Sequence, residues 1–373
     1  MKQNTFLIFL CNLLIINSFQ NLIINKLNIL SKIDKIIDNK IINKYELLTE
    51  QEKYDLSWYV IGEYKDFENQ VLNKITVWDK NYVVWSNNNK MYALDNTCSH
   101  RSASLACGKI VNEQVMCPYH GYLFDSDGIL KSIPGINFTN SYIHNVQKYN
   151  VIKKNGWVYL NTYKTNEEFK ENIFVEEEAN NDNYEVNFIT ENFNAYSRLV
   201  SENSLDLMHI AFVHTFGNID NPEPMMENPP KSIENNFHYK TSYLYKIGNN
   251  TIAKKMYSKK IMEIDNEFIL PHTTIARIKF DNFVNTVVTF ALPVNITHTK
   301  LFVKVYRNYW NDNNIIKFFG DIASYFLMYR TILQDKQIVE SIDKKKVDGN
   351  FNMKYDKLQN VYISLYKKLV HMF

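Results

Sequence analysis

At 373 residues the chain is too long for one small domain and long enough for two, each with its own core. A formal net charge of +2, with 22% charged residues, gives no electrostatic case for a nucleic-acid partner, and four cysteines do not make a disulfide scaffold. The aromatic share of 14%, with 25 Tyr and 23 Phe, would suit a pocket for a flat apolar molecule, but the abundance of Asn, Ile, Lys and Tyr fits a general compositional bias better. From Thr5 to Ile24 the chain is apolar, interrupted by Asn12, Asn17, Gln20 and Asn21. This makes a poor membrane span and a fair signal-peptide core without a clear small-residue cleavage site. Leu27 to Leu48 is amphipathic, with Lys32, Lys35, Lys40 and Lys44 on its polar positions and Lys26 just ahead. Residues 1–48 are therefore expected to target the chain or associate it with a membrane, and the lysines favour a cytoplasmic position for the rest of the chain. Organelle targeting and a helix packed on the folded remainder are the rivals.

Next come turn-rich, strand-like segments. Tyr82 to Trp85, a polar turn from Ser86 to Lys90, and Met91 to Leu94 read as a hairpin, as does Lys109 to Met116. Asp125 to Gly128 is a turn, and Asn155-Gly156 between apolar runs is a strong hairpin signal. Within this all-β pattern stand Cys98-Ser99-His100 and, sixteen residues on, Cys117-Pro118-Tyr119-His120. Two thiolates and two imidazoles at this spacing suit a Rieske [2Fe–2S] centre, with sulfur on one iron and nitrogen on the other. A zinc site could use the same four side chains, but a pair spaced by one residue is unusual there. Respiratory and photosynthetic Rieske proteins carry an extra cysteine in each ligand loop; here Ala103 and Tyr119 stand in those places, and Cys107 is expected to be a buried free thiol. The two ligand segments, with Arg101, Gly121 and Tyr122, resemble those of the Rieske-type non-heme iron oxygenases.

That resemblance implies a second metal site downstream. Asp206, His209 and His214 form the pattern D-x-x-H-x-x-x-x-H. Non-heme Fe(II) sites of this kind use two histidines and one carboxylate on one face of the metal. On an ideal helix His209 and His214 would stand about 140° apart, so the helix must end or distort between them, whereas Asp206 and His209 would share a face. Ordinary helix-terminal histidines are the bland alternative. The resemblance points to Asp335, in the apolar stretch from Ile315 to Val339, as the carboxylate; Asp321, Glu340 and Asp343 are its rivals.

The similarity runs from about Ser57 to Glu340 and is expected to be nearest the pheophorbide a oxygenase, chlorophyllide a oxygenase and vanillate demethylase branch. The absence of any cysteine after Cys117 departs from the C-x-x-C of plant chlorophyll-catabolic members. The implied fold is α+β: an N-terminal all-β Rieske domain (residues 49–165), then a helix-grip (START-like) antiparallel-sheet catalytic domain (166–373). Strands are expected over Tyr239 to Ile247, Thr273 to Phe280, Val284 to Leu292 and Lys300 to Arg307, with helices around Asp206 to His214 and Ile315 to Ile342. The proline-rich Phe216 to Ser232 reads as a lid or an inert loop with equal weight. The implied cofactors are a [2Fe–2S] cluster on Cys98, His100, Cys117 and His120 and a mononuclear Fe(II) on His209, His214 and Asp335. The implied reaction is O2-dependent oxidation, by hydroxylation or demethylation, of an apolar, aromatic or tetrapyrrole-like substrate. Electrons would come from a reductase or ferredoxin, and in a homotrimer Asp206 would bridge His209 to the next subunit's cluster ligand. A Rieske electron carrier without oxygenase activity is the alternative. The remaining histidines, His144, His238, His272, His298 and His371, read as structural or exposed.

Overall fold

A computed structural model describes residues 48–370 apart from 69, 138–141, 166, 215–216, 235, 248–260 and 350–352. The expected N-terminal segment, up to residue 47, and His371 lie outside the described residues.

After α1 (Glu50–Asp55) the described chain forms short strands: β1 (Trp58–Glu63), β2 (Asn73–Val77), β3 (Lys80–Asn87), β4 (Lys90–Asp95), β5 (Lys109–Val111), β6 (Gln114–Met116), β7 (Leu123–Phe124), β8 (Leu130–Ser132), β9 (Lys148–Tyr149), β10 (Val151–Lys154) and β11 (Trp157–Asn161). They make three antiparallel sheets, in the orders β1-β11-β10, β2-β3-β4-β9 and β5-β6-β7-β8. Two-residue turns set the register. Asn88-Asn89, Asn112-Glu113 and Asn155-Gly156 each have positive φ at both positions, the conformation whose twist matches paired strands. The first turn is tighter than the expected Ser86 to Lys90, because Ser86 and Asn87 are buried and pair with Met91 and Lys90.

The second region runs β12 (Glu185–Phe193), α2 (Ser197–Leu205), α3 (Ile210–Val213), β13 (Met226–Glu227), β14 (Lys231–Ser232), β15 (His238–Lys246), β16 (Ile261–Ile269), β17 (Thr273–Phe280), β18 (Phe283–Asn295), β19 (His298–Arg307), α4 (Asn314–Ser341) and α5 (Lys357–Leu369). Its antiparallel sheet has the order β12-β19-β18-β17-β16-β15-β13, with β14 also on β15. A β-rich region is thus followed by a mixed α/β region. All four expected strands are present; β12 and β16 are additional. The Phe216 to Ser232 segment is not a free loop throughout, since β13 and β14 pair with β15.

Alternation along the strands divides the large sheet into two faces. Ile275, Val288, Phe290, Phe302 and Tyr306 join one hydrophobic core with Trp58, Val60, Trp157 and Tyr159 of the first region. Polar groups buried on this side are paired. Lys304 Nζ donates to Glu176 at 2.5 Å, Tyr306 donates to the same oxygen at 2.7 Å, and Arg277 bonds Glu178 at 2.6 Å and contacts Glu267. Glu176 and Glu178 lie on the connector after β11, so these pairs pin it to the sheet. His272 adds a cross-connection: its Nε2 accepts from the Val60 N–H at 2.9 Å. The opposite face carries Ile264, Ala276, Ile278, Val287, Leu301 and Val303, which line a cavity.

Candidate metal centres

The first candidate centre is built on two tight loops. After β4, the Cys98 N–H donates to the Ala103 carbonyl and the Ser102 N–H returns to the Cys98 carbonyl, each at 2.9 Å. After β6, the Cys117 N–H donates to the Tyr122 carbonyl at 2.8 Å and the Gly121 N–H to the Cys117 carbonyl at 3.1 Å. Gly121 has a φ of +70°, and a Cβ there would lie 3.0 Å from the Pro134 ring, so glycine is required. Cys98 and Cys117 are buried in one core with Trp85, Leu105 and Phe124. His100 and His120 are exposed, their ring centroids 4.7 Å apart, and Tyr122 stacks on His100 at 4.8 Å. Burial, with Cys117 close by, pushes the Cys98 thiol up to about 11. Two thiolates so placed need a cation to hold their charge. The four donor atoms do not gather within 4.8 Å of one another, as a single tetrahedral zinc would require. A buried sulfur pair and an exposed nitrogen pair fit a two-iron cluster.

Cys107 is exposed, contrary to the expected buried thiol. The short turn Leu105–Cys107 directs Leu105 inward instead, and Gly108 follows so tightly that a Cβ would stand 2.0 Å from the Met116 carbonyl oxygen.

The second candidate centre depends on a broken helix. Helix α2 ends at Leu205, and Asp206 takes an extended conformation with φ −77° and ψ 121°. The expectation that Asp206 and His209 share a helical face is therefore corrected: Asp206 lies outside any helix. Its Oδ1 accepts from the Met208 N–H at 2.7 Å and so competes with helical pairing. The single turn α3 begins after His209, and His214 leaves it extended at ψ 143°. This brings the two Nε2 atoms to 3.1 Å. Asp335 Oδ1, from α4, lies 3.4 Å from His209 Nε2 and 3.2 Å from His214 Nε2. Among the described residues this is the group of three His, Cys, Asp or Glu donors within 4.8 Å of one another.

A metal about 2.1 Å from each of three ligands at right angles would separate those ligands by roughly 3 Å, so the donors fit one ion. Asp335 Oδ1 is buried, faces both imidazoles, and has no well-formed hydrogen bond. Burial works to raise the Asp335 carboxyl, but the His209 and His214 imidazoles facing its oxygen outweigh it and hold it at about 2. Burial lowers His209, and the Asp335 and Asp206 carboxylates more than restore it, so its net shift is upward. Burial raises Asp206 despite the opposing charge of His209. Asp206 Oδ2 is 4.0 Å from His209 Nδ1, beyond hydrogen-bond length.

The rival acids are occupied elsewhere. Asp321 bonds Arg307, Glu340 accepts from the Asn194 N–H, and Asp343 accepts from the Lys345 N–H. Gln334, which the sequence pattern did not single out, accepts from His214 Nδ1 at 3.1 Å and so leaves Nε2 free to bind a metal. Its place beside Asp335 was the available signal. The triad stands in the wall of a cavity of about 130 Å³ whose exposed lining is mainly apolar, with Asn203, Ser204, Asp206, Asn266, Thr274, Thr289 and Thr331 as its other polar residues. Phe193 is its only Phe, Tyr or Trp among the described residues, so the aromatic richness of the chain is spent elsewhere. Of the other histidines, His238 is buried against Glu267 at 2.8 Å, His272 is buried, His144 is half-buried and His298 is exposed.

Residues 57–148 match the Rieske [2Fe-2S] domain family. The chain is 31% identical over 78 residues to the 5,5'-dehydrodivanillate O-demethylase oxygenase subunit of Sphingobium sp., covering 21% of this chain and 18% of that protein. It is 23% identical over 159 residues to chlorophyllide a oxygenase of Oryza sativa subsp. japonica, covering 42% of this chain and 28% of that protein. The matches therefore span less than a third of these two curated relatives, and no branch is clearly closest. The fold is that of dicamba monooxygenase bound to dicamba, with a TM-score of 0.72 at 16% identity over 85% of this chain and 97% of that one. The chain thus carries a Rieske [2Fe-2S] domain over residues 57–148 and shares its overall fold with dicamba monooxygenase, with a candidate His209, His214 and Asp335 donor set beyond the matched domain.

Proposed function

We propose that this chain is the oxygenase component of a Rieske-type system, an O2-dependent oxidoreductase that hydroxylates or demethylates an apolar, aromatic or tetrapyrrole-like molecule. The observation that carries the reading is the convergence of His209, His214 and Asp335 at 3.1–3.4 Å in the wall of a largely apolar cavity. When bound, the cluster supplies single electrons and Fe(II) supplies dioxygen activation. Cys98, His100, Cys117 and His120 would hold the cluster, with the exposed imidazoles facing an electron-donating reductase or ferredoxin. His209 and His214 would bind Fe(II) through Nε2 and Asp335 through Oδ1, with Gln334 orienting His214. The apolar lining excludes water and orients substrate by shape.

Several finer readings belong to this proposal. The antiparallel sheet with α4 beside it is a helix-grip (START-like) arrangement, residues 49–165 and 166–373 being the two domains. The active form is a homotrimer in which Asp206, the catalytic link, bonds His209 on one side and His120 of the partner subunit on the other. Residues 1–48 associate the enzyme with a membrane or an organelle, with the remainder facing the cytoplasm. The ligand-segment resemblance supports kinship with the pheophorbide a oxygenase, chlorophyllide a oxygenase and vanillate demethylase branch.

Iron and acid-labile sulfide on anaerobically purified protein, with the electron paramagnetic resonance spectrum of the reduced form, test the reading. It expects about three irons per two sulfides and a Rieske-type spectrum. About two irons, not raised by added Fe(II), would return the chain to an electron carrier.

A further inference from the structure

Helix α4 is apolar on both sides, a pattern that belongs to a helix buried all round. Its inward side packs on β12 and lines the cavity with Met328, Ile332 and Val339. Among the described residues its outward side has no cover. Ile315, Phe319, Ile322 and Phe326 recur at helical spacing along that side and are 71%, 64%, 39% and 64% exposed, with Phe318 beside them at 60%. The three phenylalanines alone present on the order of 350 Å² of apolar surface, from roughly 200 Å² per ring side chain. A contiguous patch of that size marks an interaction surface.

Charge narrows the occupant. Between Asn314 and Ile342 the exposed residues include Arg330 and no carboxylate, because Asp321, Asp335 and Glu340 are turned to partners inside the protein. Past the helix come the exposed Asp343 and then Lys344, Lys345 and Lys346, also exposed, so this end carries a net positive charge. An apolar stripe with Arg330 on the helix and three lysines against one aspartate past its end complements an anionic lipid surface, where apolar side chains enter the headgroup boundary and basic ones meet phosphate. No described helix is long and apolar enough to cross a membrane, so the helix would lie in the interface.

We propose that the outward face of α4 is a lipid-contact surface that seats the protein on an anionic bilayer, with the cavity on the other side of the same helix. It is separate from any association through residues 1–48 and does not depend on the oxygenase reading.

The test is flotation of the full chain with vesicles of phosphatidylcholine alone and with phosphatidylserine added, comparing wild type with Phe319→Glu/Phe326→Glu. Both positions are exposed, and the thermal midpoint together with iron and sulfide content verifies the fold. The double variant is expected to lose at least about tenfold in partitioning. Lys344→Gln/Lys345→Gln/Lys346→Gln is expected to lose on the order of a hundredfold on phosphatidylserine vesicles alone. Flotation of the double variant equal to wild type would overturn the proposal and leave residues 1–48 as the membrane contact. Unchanged flotation with a reduced mass by light scattering would overturn it in favour of a second copy. Because turnover is not read, failure of the oxygenase reading would leave this result intact.

Discussion

His272 is the residue at which acid should unlock the two regions from each other. It packs against Tyr59 and Phe290, with ring centroids at 5.2 and 5.6 Å, and its Nε2 accepts the Val60 N–H. The proton therefore sits on Nδ1, which is buried without a partner. Burial drives the imidazole from 6.5 down to about 3. The unfolded chain takes up a proton as the pH falls through 6.5 and the folded chain does not until about 3, so stability present above 6.5 is lost on acidification. At pH 5 the loss from this one group is about 2 kcal/mol. Urea unfolding followed by tryptophan fluorescence at pH 7 and pH 5 measures it, with His272→Gln as the reference, since glutamine can accept from Val60 but does not titrate. The variant is expected to start less stable at pH 7 and to lose about 2 kcal/mol less than wild type between the two pH values. Equal losses would refute the reasoning.

Asp335→Ala should lower iron from about three to two per two sulfides while the cluster spectrum persists, with turnover reduced at least about a hundredfold; a full complement of iron would exclude Asp335 as a ligand. Asp206→Asn should keep both metal sites loaded yet nearly abolish turnover, and an active variant would sink the proposed bridge. Gln334→Leu removes the acceptor from His214 and should weaken Fe(II) binding about 10- to 100-fold in titrations of protein stripped of its mononuclear iron. Gly108→Ala forces a methyl group against the Met116 carbonyl and should cost about 1–3 kcal/mol in urea unfolding.

Much of the metal chemistry was legible because ligand spacing is local information. Cys98 with His100 and Cys117 with His120 each lie within one loop, and the Asn-rich turns beside them announce their own positive φ. The need for a break between His209 and His214 was also readable, since their spacing does not fit one helical face. That the break comes before His209, with Asp206 already extended, was not, because it depends on the Asp206 side chain bonding its own backbone. Strand β16 was missed because Asp265 and Glu267 look like solvated acids; they are buried, and their partners Lys240, Lys279 and Arg277 come from neighbouring strands. β12 was obscured in the same way by Glu185, Asn187 and Glu191, which face Lys317, Asp321 and Lys336 on or near α4. Periodicity identified α4 itself, but an apolar run cannot say which of its two sides is left uncovered.

The core shared by β1, β11 and the large sheet has a consequence for electron flow. Phe290 and Phe302 meet Trp157 at ring separations of 5.8 and 5.5 Å, so the cluster-bearing strands and the catalytic sheet meet in one close-packed interior rather than across a lubricated hinge. Within a subunit, the tunnelling distance between the two proposed metal centres is then a constant of the fold. If the chain is the proposed oxygenase, coupling of reduction to substrate is not exercised by swinging one half of a subunit toward its other half.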